Sequence, residues 1–164
     1  MKKYTTEIKW GVIFVIVALL WMYFEKLMGW HGENIASHAM FTNFFAILAI
    51  LIYVFALLDK RKNDYGGYMT WKQGFISGLI ITAVVTIFTP LSQYITHVVI
   101  SPEYFPNVIN YVVETGQMTR DVAEQQFNMG SYIVQSLIFG IVIGAITSAV
   151  VALFVKKKAP GTAT

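Results

Sequence analysis

The chain has 164 residues, of which 56% are hydrophobic and only 13% are charged. Ordinary soluble domains carry about twice that share of charged residues, so the composition favours an integral membrane protein. The chain contains no cysteine, which excludes disulfides, thiol catalysis and cysteine-ligated metals. The net charge of +3 comes from short basic clusters beside apolar runs, a pattern that does not indicate nucleic-acid binding.

Four apolar runs predict an all-α fold, a four-helix transmembrane bundle. A helix needs about 20 apolar residues to cross the hydrocarbon core of a bilayer, and each run has that length or nearly so. The runs lie at about 10–28, 39–58, 73–100 and 131–155. We therefore predict that residues 1–158 form a single domain with four spans and that 159–164 is a disordered tail.

Basic residues concentrate on one side of the predicted spans. Of the twelve lysine and arginine residues, all but Lys26 and Arg120 lie before the first span, between the second and third, or after the fourth. Positively charged loops stay in the cytoplasm. We therefore predict a multi-pass membrane protein with both termini in the cytoplasm.

Residues 101–130 form the sizeable segment between the third and fourth spans. Apolar residues recur there at helical spacing, namely Phe105, Val108, Ile109 and Val112. Gly116 is placed to end that helix, and Thr119 could begin another. Since the apolar pattern continues from Val122, we expect a short helical outer segment whose last helix runs into the fourth span.

The third span carries a polar stripe on one helix face. Its members follow one another at steps of three or four residues: Thr82, Thr86, Thr89, Gln93 and Thr96. Pro90 removes a backbone donor within the run, so the Thr86 carbonyl loses its usual partner. The stripe could line a path for a small solute or ion, because transporters use broken polar helices in this way.

The same stripe could instead be a packing face. Gln93 would then bond to a polar residue of a neighbouring span, since an unpaired amide in lipid is costly. The candidate partners on the second and fourth spans are Asn43, Gln135 and Ser136.

Small residues recur at steps of four on the last two spans, and such faces let helices approach closely. On the third span they are Gly74, Gly78 and Thr82, and on the fourth they are Ser136, Gly140, Gly144 and Ser148. We predict that Gly140 and Gly144 each face a neighbouring helix at short range.

Several titratable residues lie near the outer ends of the spans. The candidate metal ligands are His31, Glu33, His38, His97 and Glu103. Their spacing matches no metal motif, so we expect no structural metal and no cofactor. Glu25 and Lys26 end the first span, and we favour the interpretation that both reach the aqueous interface.

The sequence contains none of the common motifs of zinc proteases, serine hydrolases or nucleotide-binding loops. We therefore expect a protein that is not an enzyme. The leading hypothesis is a membrane module that packs against a second copy or a partner protein in the bilayer. The alternative is a small oligomeric transporter or channel that uses the polar face of the third span.

The chain as a whole resembles the family catalogued as domain of unknown function 4199, which consists of small bacterial inner-membrane proteins. The resemblance rests on Lys9-Trp10-Gly11, on Tyr68-Met69-Thr70-Trp71-Lys72-Gln73-Gly74-Phe75, on Ser101-Pro102-Glu103-Tyr104, and on a glycine-rich last span that ends in lysines. It implies a helical fold and a location in the bacterial inner membrane, and it implies no particular activity.

Overall fold

A computed structural model describes residues 4–160, and in that range the chain is all-helical apart from one isolated antiparallel bridge between Met69 and Lys157. The α-helices are α1 (Thr5–Leu27), α2 (Ile35–Phe41), α3 (Phe45–Asn63), α4 (Trp71–Tyr94), α5 (Tyr104–Glu114), α6 (Arg120–Gln126) and α7 (Met129–Val155). A 3-10 turn, Thr42–Phe44, joins α2 to α3, and a π-helical turn, Ile95–Ile100, follows α4. Of the predicted tail, 161–164 lie outside the described residues, as do Lys2 and Lys3.

Four helical segments of the described range are long and apolar enough to cross a membrane. They are Thr5–Leu27, Ile35–Asn63, Trp71–Ile100 and Met129–Val155. Each begins a few residues before the predicted span, because hydropathy marks the apolar section of a helix and not its capped end. Large apolar side chains such as Leu20, Ile87 and Phe154 stay exposed along these helices, which suits contact with lipid.

The segment between the last two spans is helical, as predicted, but its end differs from the prediction. The α5 helix buries Tyr104, Val108 and Val112, and Gly116 beyond its end has a φ of 69°. The expected continuity from α6 into the fourth span is wrong. The α6 helix ends at Gln126. The Asn128 side chain then accepts a hydrogen bond from the Ser131 amide at 3.0 Å, and this bond caps α7.

The chain divides into two compact units. The first consists of the chain up to Phe14, Ala46–Ile87, and the chain from Ile138 onward. The second consists of Val15–Phe45 and Phe88–Leu137. The α1, α4 and α7 helices contribute residues to both units.

Close contact between α4 and α7 organises the first unit. A β-carbon added to Gly78 would lie 2.5 Å from Cβ of Ser148, and one added to Gly144 would lie 2.5 Å from Cγ2 of Thr82. Real β-carbons do not approach so closely, so both positions require glycine. The small-residue faces of the third and fourth spans therefore pack against each other within the chain.

Gly140 behaves differently from Gly144. A β-carbon added to Gly140 would meet nothing within 4 Å, and the residue borders an apolar cavity of about 110 Å³ beside Phe14 and Tyr53. The prediction that Gly140 faces a helix at short range is therefore wrong. The reason is that no side chain of the first unit fills the space opposite this position.

The first unit also contains a buried ion-pair network. The Lys60 ammonium lies 2.9 Å from Oε1 of Glu7 and 2.9 Å from Oδ2 of Asp64. Glu7 and Lys60 are only 1% and 4% exposed. The hydrogen bond from Lys60 lowers the pKa of Asp64 below its ordinary value. The ion pair between Glu7 and Lys60 therefore connects the beginning of α1 to the last turn of α3.

Candidate functional site

A buried carboxylate in the second unit is the centre of the candidate site. Glu25, near the end of α1, is 0% exposed. Its Oε1 accepts a hydrogen bond from the Trp21 indole one turn earlier, and its Oε2 lies 3.0 Å from Nε2 of His31. The prediction that Glu25 reaches the interface is therefore wrong, because the chain after α1 folds back over the carboxylate. Lys26 is exposed.

A tight turn after α1 brings His31 onto Glu25. The Trp30 amide donates to the Glu25 carbonyl at 3.0 Å, and the Asn34 amide donates to the Gly29 carbonyl at 2.8 Å. Gly29 has a φ of 75°, which other residues adopt at a cost. The turn leads into α2, where Nδ1 of His38 lies 3.4 Å from Oε2 of Glu25. We call Glu25, His31 and His38 the carboxylate–histidine cluster.

The other edge of the His31 ring contacts Ser101, and α5 holds the His31 backbone. Nδ1 of His31 lies 2.6 Å from the Ser101 hydroxyl, and the Asn107 side chain donates to the His31 carbonyl at 2.9 Å. In the neutral ring, Nε2 carries the proton toward Glu25 and Nδ1 accepts from Ser101, because a carboxylate accepts only. The network thus assigns the tautomer of His31 and fixes its orientation.

Two buried imidazole nitrogens of the second unit have no hydrogen-bond partner in the described structure: Nδ1 of His38 and Nδ1 of His97. The distance of 3.4 Å from His38 to Glu25 lacks the alignment of a hydrogen bond. Nε2 of His97 lies 3.0 Å from the side-chain oxygen Oε1 of Gln93. Because this oxygen only accepts, Nε2 donates the hydrogen bond and Nδ1 keeps a lone pair without a donor. An unpaired buried acceptor is costly, so Nδ1 of His97 points to a ligand, whereas Nδ1 of His38 lies near the Glu25 carboxylate.

A polar cavity of about 150 Å³ connects these groups. Its lining is contributed by α1, α2, the end of α4, α5 and α7, and consists of Met22, His31, His38, Thr42, Gln93, Thr96, His97, Tyr104, Tyr132 and Ser136. A second, larger pocket of about 450 Å³ shares His31 and Tyr104 with it and includes the exposed residues Glu33 and Glu103. His31 therefore borders both spaces.

Tyr104 stands among the three histidines. Its ring centroid is 5.2 Å from those of His31, His38 and His97, and its hydroxyl lies 3.0 Å from the Tyr132 hydroxyl. Burial raises the pKa of Tyr104 far above its ordinary value. The phenol therefore stays neutral and serves as a hydrogen-bonding wall of the cavity.

The polar stripe of the third span is divided between two environments. Thr82, in the first unit, bonds to the Gly78 carbonyl at 3.0 Å and to the Tyr53 hydroxyl at 2.8 Å. The Thr86 hydroxyl donates back to the Thr82 carbonyl at 2.8 Å. These two threonines serve packing and helix structure. Thr89 is half-buried and Pro90 is exposed within an uninterrupted α4.

The outer part of the stripe belongs to the polar cavity. Gln93 donates to the Ser136 hydroxyl at 2.7 Å, so the expected polar partner of Gln93 is Ser136. The other candidates lie elsewhere: Asn43 and Gln135 are exposed, and Asn43 bonds to the Ala39 carbonyl. In the π-helical turn that follows α4 both Thr96 and His97 are buried.

The sequence places His31 and Glu33 among the candidate metal ligands. In the structure, the carboxylate beside His31 belongs to Glu25 and not to Glu33. Glu33 is exposed on the turn, whereas one donor atom each from Glu25, His31 and His38 lies within 4.8 Å of the others. The signal that was missed is Gly29, which lets the chain reverse between Glu25 and His31. One carboxylate and two imidazoles form a donor set suited to a transition-metal ion.

The four long apolar helices make this a multi-pass, all-helical membrane protein, with a buried polar site in one of its two units. The chain belongs to the family described as "Protein of unknown function (DUF4199)", whose model matches residues 9–157, nearly the whole chain. No curated protein and no solved structure matches it.

Proposed function

We propose that the protein is a non-enzymatic binding module of the bacterial inner membrane and that it holds a small polar or cationic ligand in the second unit. The observation that carries the proposal is the polar cavity of about 150 Å³, which His38 and His97 border with ring nitrogens that make no hydrogen bond. Ionisable groups buried in spanning helices are costly, and they mark binding sites or ion pathways by default.

We further propose that both termini are cytoplasmic. The basic residues that the sequence assigns to the cytoplasmic side belong to the first unit, whereas Lys26 and Arg120 belong to the second. The positive-inside rule then places the ends of the first unit in the cytoplasm and the loop before α2 outside. The cavity would in that case take its ligand from the outer side.

The leading hypothesis from the sequence, a module that packs against a second copy or a partner protein, has less support when its contact is the small-residue faces. Gly78 and Gly144 contact Ser148 and Thr82 of the same chain, so these faces are covered. A second copy or another membrane protein would have to use the remaining apolar surface. The bilayer itself is the partner that the exposed apolar side chains favour.

Cysteine labelling tests the cavity and the orientation together, because the chain has no native cysteine. We expect Ser136→Cys, which lines the cavity, to react in intact cells with a small, charged methanethiosulfonate reagent. The matched control is Ser148→Cys on the same helix, which is 0% exposed and should stay unmodified. Asn63→Cys should react only after the cells are opened.

An unreactive Ser136→Cys in a folded protein would contradict the binding role. Reaction of Asn63→Cys from outside would instead show that the orientation is reversed. The two results are separate, so either part of the proposal can fail alone.

A second candidate function is transport of the ligand, and the position of the stripe favours it. Gln93 and Thr96 line the same cavity as the histidines. If the cavity lies on a transport pathway, Gln93→Leu should abolish the flux of monovalent cations or protons. The flux would be measured into proteoliposomes that contain an entrapped reporter dye. Flux that is absent from the unaltered protein, or equal in the variant, would reject transport and leave binding as the function.

A further inference from the structure

We infer that Glu25, His31 and His38 form a binding site for a divalent transition-metal ion of the Zn²⁺ class. This inference names the ligand of the proposed binding module and rests on the proposed function in that respect. The site combines a carboxylate that is 0% exposed with a His31 ring that is 6% exposed and a His38 ring from the middle of α2. It leaves the fourth coordination position for water or an exogenous group.

Two of the three separations between donor atoms fit this ion. Bonds of about 2.0–2.2 Å in a tetrahedral arrangement place donor atoms about 3.3 Å apart. Oε2 of Glu25 lies 3.0 Å from Nε2 of His31 and 3.4 Å from Nδ1 of His38, and the donor atoms of the three residues all lie within 4.8 Å of one another. Small rotations of the two rings would complete the geometry.

The surroundings of His31 supply the outer support that a metal-bound imidazole needs. When Nε2 binds a metal, the ring proton moves to Nδ1. The Ser101 hydroxyl, 2.6 Å away, can then accept a hydrogen bond from Nδ1. Such a hydrogen bond fixes the tautomer and the ring orientation of a metal-ligating histidine. The bond from Asn107 to the His31 carbonyl holds the backbone in place.

A purely structural ion pair would not explain the whole arrangement. Glu25 and His31 alone would satisfy each other, yet Nδ1 of His38 is also aimed at the carboxylate and has no hydrogen bond. Two of the three donors are imidazole nitrogens, which bind Zn²⁺ and related ions. Mg²⁺ and Ca²⁺ prefer oxygen donors, so the donor set favours the Zn²⁺ class. His31 also borders the larger pocket of about 450 Å³, which provides a route to the site.

Titration with Zn²⁺ tests the inference. The full chain, purified without a histidine tag and stripped with a chelator, would be titrated against a chromophoric chelator. We expect one Zn²⁺ per chain and a loss of affinity of at least about a hundredfold in Glu25→Gln, His31→Ala and His38→Ala. Ser101→Ala removes only the outer support, so it should weaken binding by about 10–100-fold. Glu33→Gln, the exposed carboxylate of the same turn, should bind as the unaltered protein does.

Because a variant could fail to fold, Co²⁺ bound to the unaltered protein provides a second measurement. The visible spectrum should show the intense bands of a tetrahedral ion. Absence of Zn²⁺ binding by the folded, unaltered protein, or binding that survives all three ligand substitutions, would overturn the metal assignment. If Ser136→Cys is still reactive in that case, the proposed cavity function stands without the metal, whereas an unreactive Ser136→Cys would reject the cavity function itself.

Discussion

Gly144→Leu is expected to destabilise the first unit strongly, whereas Gly140→Leu should be tolerated. A β-carbon at Gly144 would lie 2.5 Å from Cγ2 of Thr82, so a leucine there must push α4 and α7 apart. Overpacking of this kind costs about 1–3 kcal/mol or more. The separation would also disturb the Thr82 hydroxyl, which bonds to Tyr53 at 2.8 Å.

Gly140 provides a matched control on the same helix, four residues earlier. Gly140 is exposed, and a β-carbon added there would meet no atom within 4 Å. Thermal unfolding in detergent, followed by tryptophan fluorescence, compares the two variants. Equal melting temperatures for the two leucine variants would contradict this account of α4–α7 packing.

Lys60→Met is expected to cost about 3–5 kcal/mol of stability, because it breaks a buried ion pair by removing one partner. Glu7 is 1% exposed and would keep a negative charge with no compensating ammonium. Asp64 would lose the same partner. The double variant Lys60→Met with Glu7→Met should recover much of the loss, since no unpaired buried charge remains.

Lys62 is the control for Lys60, because it belongs to the same basic run and is exposed. Lys62→Met should change the stability by less than about 0.5 kcal/mol. The measurement is again the melting temperature in detergent, together with the fraction that elutes as a single species from gel filtration. A Lys60→Met protein as stable as Lys62→Met would show that the network contributes nothing.

The sequence predicted the four spans because hydropathy over about 20 residues is a strong signal. It did not predict the burial of Lys60, although the pattern contained a clue. The buried residues of α3 include Tyr53, Ala56, Leu57 and Lys60, at the spacing of one helix face. The basic run indicates the side of the membrane, whereas the burial of Lys60 follows from its helical phase, which the charge pattern does not reveal.

The two glycines of α7 show a different limit. Gly140 and Gly144 fit the same step-of-four pattern, yet only Gly144 has a side chain of α4 directly against it. Spacing along one helix does not reveal the size of the residue opposite, so the pattern alone could not separate them.

The carboxylate–histidine cluster required three-dimensional information. Glu25 and His38 belong to different helices, and the turn between them determines which acidic residue meets the imidazoles. The π-helical turn at Ile95–Ile100 was also unforeseen, and it buries Thr96 and His97 side by side. The contact between Glu25 and the two histidines depends on tertiary packing, which local sequence patterns do not encode.

X-ray absorption at the zinc edge, recorded on the Zn²⁺-loaded protein, tests the central claim most directly. The cluster predicts a four-coordinate ion with nitrogen and oxygen donors at about 2.0–2.2 Å, together with the outer scattering of two imidazole rings. Glu25→Gln and His31→Ala should lose that spectrum. A six-coordinate shell of oxygen atoms without imidazole scattering would contradict the claim, because it would show hydrated zinc held elsewhere on the protein.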